Sequence, residues 1–546
     1  MRRINRLALV CASVFLLSFP VMALADPGED HGHDDIPVPA PSLPNFGPGI
    51  ENMELLDVSD KDGTINSDIA FYRNLAFVGN YDGFRVIDVR RPGRLRLLSD
   101  TRCRANQGDL SVFKARDGRL ILLQSIDRPV TAPDCTAADT ATTTEATTED
   151  PLGTTATRAR FGYEGLRMFD VTNPANPKFL RFYRTECGSH THTLVPDRRN
   201  GRMHAYVASY PLGTQITPQV DKAQSDALGL TCDAPHAKIS IVSLPLSDPE
   251  AGRVRTKALS SDTEPYDPDG PYDPTGGEDG GPTGTAPGFQ SCHDHQAFLP
   301  RNIMVASCAG DAQYWDISRR GNPTSADGED HTHIQREVAV DDPATPDNER
   351  VESFDFMHNA TVTWDGEVTA IVDESGGGVE ARCDGANTKR GWTFFYPLVE
   401  PGQPVDGFAD LLGRYVIPRP QNTDVCVSHN GNVLPTDNGR YWQVQAFYQG
   451  GNSFFDFTNP ASAVEVGWSD LQTQVGRADS WSSYWYNDVM YVNGGLNRAG
   501  ADPASANRGF EAYALYDDDG DRVETRNWRM LNPQTQEAWQ VPDTGQ

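Results

Sequence analysis

The sequence predicts an all-β fold, a single seven-bladed β-propeller with long loop insertions. Three observations predict it: Gly and Pro scattered without a short period, a four-strand unit that recurs seven times, and an aromatic-Asp-apolar phrase that closes several of the units. The 546 residues include 49 Gly and 39 Pro, which suits a chain of many turns and disfavours a helical bundle. That length exceeds what one two-layer domain packs around a single core, so stacked units are expected.

The first unit starts at Asp68 (DIAFYRNLAFVGNYDGFRVIDVRRP). The second starts at Asp109 (DLSVFKARDGRLILL) and closes much later with GLRMFDVTNPANP. The third starts at His192 and closes with AKISIVSLP, and the fourth runs from His295 to the phrase QYWDISRRGNP. The fifth starts at His358 and closes with GWTFFYPL, the sixth starts at His429 and closes with SFFDFTNP, and the seventh starts near Asp479 or Ser480 and closes with GFEAYALYDDDGD. Each holds about four short strands, and units of roughly 40 residues cannot bury their faces alone, so they stack radially around a channel. The propeller is expected over residues 59–525. Two low-complexity insertions, a Thr/Ala-rich one at 136–156 and a Pro/Gly/Asp-rich one at 260–288, account for the long spacings among units two, three and four.

The flanks read differently. Residues 1–25 carry Arg2, Arg3 and Arg6, a short apolar run and Ala23-Leu24-Ala25, the three parts of a secretory signal peptide. The mature chain is expected to begin near Asp26 and to be periplasmic or extracellular, with a flexible N-terminal segment over 26–58. Residues 526–546 are expected to form a C-terminal tail or a closing strand; either 36–58 or 527–541 supplies the outer strand of blade seven. No other stretch approaches 18 apolar residues, so no transmembrane segment is expected.

Eight cysteines remain after the signal, an even number that reads as disulfides in an exported chain. Nearest-neighbour pairing gives Cys103 with Cys135, Cys187 with Cys232, Cys292 with Cys308 and Cys383 with Cys426. The net charge of -29 excludes non-specific nucleic-acid binding, which needs clustered cations. A monomer is expected, with a protein or cell-surface polymer as partner.

The residues that begin the units carry the chemistry. The first strand of a propeller blade lines the channel, so Asp68, Asp109, His192, His295, His358 and His429 form a ring there. His190 and His293 lie two residues before His192 and His295, on the same strand face, where each pair makes a two-nitrogen clamp. Imidazoles with carboxylates suit a transition metal, Cu, Fe or Zn. Weaker metal candidates are the His-x-His pairs of EDHGHDD (29–35) and EDHTH (329–333), and Asp517, Asp519 and Asp521 resemble part of a calcium loop. Serine-hydrolase, nucleotide, zincin and c-type haem motifs are absent from the sequence.

The closing phrases GFRVIDV, GLRMFDVTNPANP, QYWDISRRGNP and SFFDFTNP resemble the LVIVD-repeat family of exported bacterial and archaeal propellers. The resemblance covers about residues 59–516, is clear in four units and worn in three, and implies the propeller fold more than an activity. With no recognised catalytic set in the sequence, the expected role is an extracytoplasmic binding or scaffold protein with a His-rich metal site in the central channel. In architecture and His placement alone, the chain is also similar to the selenium-binding protein and methanethiol oxidase group. That similarity implies a copper centre on His192, His295, His358 and His429 that oxidises a small thiol, with Glu374 as proton acceptor.

Overall fold

The repeated closing phrase folds the same way wherever it occurs. In each, an Asp ends the third strand of a blade and its Oδ1 accepts the N–H two residues on: Asp88 from Arg90, Asp170 from Thr172, Asp316 from Ser318 and Asp456 from Thr458. This turn costs the strand no register, because the carboxylate takes a backbone donor that the sheet no longer pairs. The apolar residue between them is buried and ties back to the start of the second strand, as in Val171 N–H to the Leu120 carbonyl and Phe457 N–H to the Tyr441 carbonyl. The phrase is a strand-ending device.

A computed structural model describes residues 49–61, 64–104, 107–127, 135, 164–209, 236–258, 291–308, 311–324, 332–335, 340–341, 349–350, 357–374, 391–405, 410–419, 426–470, 472–473, 476–477, 480–494 and 509–537. The two low-complexity insertions, the signal segment, the EDHGHDD stretch, Cys232 and Cys383 lie outside them.

Seven antiparallel sheets form a seven-bladed β-propeller. Their inner strands are Asn66–Tyr72, Gln107–Lys114, Thr191–Asp197, Cys292–Phe298, Met357–Val362, Gly431–Val433 and Ser480–Trp485. Each packs against the next and the seventh against the first, closing the ring. The apolar core lies between blades. Phe84 and Phe169 fill the seam of blades one and two, for instance, and Phe394 and Tyr314 that of blades four and five. Among the described residues helical structure is limited to short 3-10 turns such as Pro249–Ala251, and none of their helices is long and apolar enough to cross a membrane.

Closure uses both ends of the chain, in different places. Met53–Ser59 pairs antiparallel with Gly509–Leu515 as the outer strand of blade seven, and Gly49–Glu51 adds a fifth strand to blade six. These strands fall within the segment that the sequence suggested to be flexible, because their partners lie more than 400 residues away and no local signal marks them. The other candidate was 527–541, of which the described part, 527–537, runs across one end of the channel instead. Met530–Leu531 pairs with Phe71 and Tyr72 of blade one, and Thr535–Gln536 runs parallel to Ala297 and Phe298 of blade four. Between and around them, Arg526 N–H reaches Pro435 of blade six, Trp528 N–H reaches Asn487 of blade seven, Asn532 holds Val112 of blade two, Thr535 holds Leu194 of blade three and Gln536 holds Val362 of blade five. The tail thus touches all seven blades.

Cys103–Cys135 and Cys292–Cys308 are disulfides, and Cys187 and Cys426 are disulfide-bonded. Cys292 and Cys308 face each other on neighbouring strands of blade four, which is why the shortest spacing was readable.

Candidate metal centre

Inner strands enter the channel with an irregularity. Register shifts fall between Asn66 and Ile69, Gln107 and Leu110, Cys292 and Asp294, Met357 and Ala360, and Ser480 and Ser482. An extra residue on one strand re-aims the side chains around it, a common device beside functional sites. Here it sets which residues face the channel.

The four imidazoles that come together are His190, His293, His358 and His429. Their rings form a continuous row, with centroids 4.1 Å apart from His190 to His293, 3.9 Å from His293 to His358 and 4.2 Å from His358 to His429. Gln107 continues the row at one end through a 3.2 Å contact with His190, and Trp481 continues it at the other with its ring 4.8 Å from that of His429. Blades two to seven therefore each contribute one side chain to an arc. All four imidazoles are buried, at 2% exposure or less.

This differs from the expected ring. The His358 and His429 level matches His190 and His293, whereas His192 and His295 sit two residues further along their strands. The bulge at His293 also breaks the alternation on which the two-nitrogen clamps depended. His295 turns between blades against Trp315, with ring centroids 5.2 Å apart, and burial pushes its pKa down to about 3, so it is a neutral core imidazole. His192 pairs with Asp109 instead, its Nδ1 2.9 Å from Oδ2 of Asp109 and 2.8 Å from Oγ of Ser125. Both partners meet the same ring nitrogen, so these three residues are no nucleophile relay, which uses opposite nitrogens.

Asp68 and Asp109 likewise stay out of the arc. Gln534 of the tail donates to Asp68 at 2.7 Å and faces Asp109 at 3.4 Å. Burial and the Asp109 charge hold the Asp68 carboxyl well above the usual carboxylate range. Burial also pushes Asp109 up, but His192 and the hydrogen bond from Asp68 outweigh it and hold Asp109 low. The two share one proton in effect, as adjacent buried carboxylates must. Asp294 joins this level, raised by burial and then by Asp109, with its Oδ1 3.1 Å from the Thr191 hydroxyl.

Glu374, fully buried after the strand Val368–Asp373, is brought into the arc. Its Oε2 lies 3.4 Å from Nε2 of His358 and its Oε1 3.4 Å from Nε2 of His429. A metal with bonds near 2.0–2.2 Å to nitrogen and oxygen places two tetrahedral ligands about 3.4 Å apart. Both separations exceed a good N–H to O hydrogen bond. His293, His358 and Glu374 each offer one ligand atom within 4.8 Å of the others.

In two of the rings Nδ1 is held by a backbone acceptor. His293 Nδ1 lies 3.1 Å from the His358 carbonyl, and His429 Nδ1 meets the Trp481 carbonyl. A carbonyl only accepts, so Nδ1 carries the proton in both, which leaves the Nε2 lone pair for a ligand bond. His190 Nδ1 is placed by Asp127, at 3.1 Å, but its Nε2 already meets the amide nitrogen of Gln107, so this ring is bonded on both nitrogens. Outer partners of this kind are what orient metal-binding imidazoles.

Sequence reasoning missed Asp127, Gln107, Tyr448 and Trp481. One signal for the true register was present: His190, His293, His358 and His429 are each followed by a short polar residue, Thr191, Asp294, Asn359 and Asn430, that bonds to the next inner strand or its neighbour. In the weaker candidates, Asp517 Oδ1 accepts the N–H of Asp519 and of Asp521 in an exposed turn, which describes a capped turn. His333 lies on the strand Thr332–Gln335, away from the inner strands.

No family model matches the sequence, and no curated protein matches it. Among solved structures, a protein from Lactobacillus plantarum determined in a structural-genomics programme is similar over 66% of this chain and 77% of its own, at 10% identity and a TM-score of 0.37. At that level the likeness says nothing of chemistry, and the fold rests on the strands described above.

Proposed function

We propose that this is an extracytoplasmic propeller protein whose channel holds one transition-metal ion and carries out metal-dependent redox chemistry there. The observation behind the reading is the placement of both Glu374 oxygens 3.4 Å from Nε2 atoms of His358 and His429, with His293 alongside. His293, His358 and Glu374 make a two-His-one-carboxylate set, the donor set of non-haem iron, which leaves positions open for a substrate. With His429 as a third imidazole, copper is the second candidate. The ion would supply redox chemistry, while the chain would hold it by imidazoles, of which His293 and His429 have Nδ1 already bound to a carbonyl.

Membership of the LVIVD-repeat family belongs to the same proposal, supported by the four Asp-closed phrases. A scaffold role with a structural ion is the competing reading. The aromatic rings of Tyr448 and Trp481 against His429 favour redox use, since they lie apart from the seams between blades.

Elemental analysis of the mature protein, purified through its own export route without tag or chelator, tests this. One equivalent of iron or copper is expected, lost in His358→Ala with the circular dichroism of the blades unchanged. A protein that binds no metal even on titration overturns the proposal.

A further inference from the structure

Beside His429 lies a short file of aromatic rings. Trp481 meets the His429 ring edge-on at 4.8 Å, and Tyr81 meets Trp481 edge-on at 6.2 Å. Tyr448 packs on both His429 and Trp481, at 4.5 and 6.1 Å. Together with Val427 and Ile65 these residues form a small cluster separate from the cores between blades. The file begins at a buried imidazole of the candidate centre and ends at Tyr81, which is only half-buried.

The backbone around it is held with some force. Tyr448 has φ 46°, a left-handed conformation that a bulky side chain adopts only where its surroundings impose it. Reciprocal hydrogen bonds with Ser480, 3.2 and 2.9 Å, pin it there, and its hydroxyl donates to Glu374. Trp481 is itself the extra residue in the inner strand of blade seven. Such features gather at functional sites.

We propose that Trp481 and Tyr81 relay one electron from the protein surface to the metal centre, so that an ion able to give one electron completes the two-electron reduction of a peroxide. This rests on the metal reading above. Iron(II) held by His293, His358 and Glu374 would supply one electron. Trp481 would pass the second and be refilled from Tyr81, whose hydroxyl donates to Oε1 of Gln107 at 3.3 Å; an amide oxygen does not keep the proton, which passes on to solvent. With two protons taken up from solvent, one of them replacing the proton that Tyr81 released, the O–O bond breaks and hydrogen peroxide becomes two waters, leaving a Tyr81 phenoxyl radical. A small thiol outside the protein then returns a hydrogen atom to Tyr81 and becomes a thiyl radical. Tyr448 does not serve as the terminus, because it is fully buried and its hydroxyl proton is directed at Glu374. It is a positioning residue.

The test uses the full mature chain loaded with iron(II) alone, mixed with hydrogen peroxide and freeze-quenched for electron paramagnetic resonance. A phenoxyl signal is expected in the wild type, lost in Tyr81→Phe with iron content unchanged, and lost per bound iron in Trp481→Leu. An undiminished phenoxyl signal in Tyr81→Phe or Trp481→Leu with iron bound overturns the relay and leaves the metal centre standing. Absence of bound iron in the wild type overturns both.

Discussion

Asn532 holds both backbone groups of Val112, its Nδ2 donating to the carbonyl at 2.8 Å and its Oδ1 accepting the N–H at 2.8 Å. The innermost strand of a propeller blade has a sheet partner on one side only, so its other edge faces the channel with unpaired groups. Here a side-chain amide from the far end of the chain completes one of them. Asn532→Ala strands a buried donor and a buried acceptor, at a cost of about 1–3 kcal/mol. Chemical unfolding of the full chain is expected to show that loss, and an unchanged midpoint would mean that water replaces the amide without penalty.

Much of the fold was legible because its signals are local. Asp88, Asp170, Asp316 and Asp456 each shape a turn with a group two residues away, so their spacing alone gives the blade rhythm. Cys292 and Cys308 are legible for the same reason. The tail was not: Met530 to Gln536 reach strands 174 to 466 residues distant through backbone pairing and side-chain amides, and no alternation announces that. In the candidate site, residue types were legible and register was not. The bulges at His293 and at His358 and Asn359 are a tertiary outcome, and they decide that His293 faces the arc while His295 faces Trp315.

The split into two levels separates the histidines experimentally. His358→Ala and His429→Ala are expected to lower metal content, whereas His295→Ala and His192→Ala are expected to keep it, since neither stands beside Glu374. Metal competes with protons for its imidazoles, so uptake by the wild type is expected to weaken as pH falls. Loss of metal in His295→Ala to the same degree as in His358→Ala would return the ring to the register read from sequence.

His204 gives a prediction for acid stability. It is buried in the second strand of blade three with Nδ1 2.8 Å from the Ser243 hydroxyl, and burial pushes its pKa down from 6.5 to about 4, against the pull of Asp197. Between those values the unfolded chain binds a proton that the folded chain refuses. Stability is therefore expected to fall as pH drops from about 6.5 to 4, and to level off below. His204→Gln removes this contribution, so its unfolding midpoint is expected to change less than that of the wild type between pH 7 and pH 4. Parallel profiles for the two proteins would assign the acid limb to other groups.

Asp68 acts with the opposite sign. Its folded pKa is raised, by burial first and then by Asp109, so the folded chain keeps a proton that the unfolded chain releases. The stability it contributes is full below the ordinary carboxylate pKa and is lost as pH rises through the folded value. Replacing Asp68 by an asparagine keeps the acceptor that takes the Ile69 N–H at 2.8 Å and leaves no charge to desolvate. The amide so introduced faces Gln534, whose Oε1 has no hydrogen-bond partner among the described residues, and a flip of Gln534 presents that oxygen to it. Asp68→Asn is thus expected to gain stability relative to wild type as pH rises from 5 to 8, read as a growing difference in Tm. A constant or shrinking difference over that range would show that Asp68 is ionised in the folded protein and that its charge is balanced by the surrounding donors.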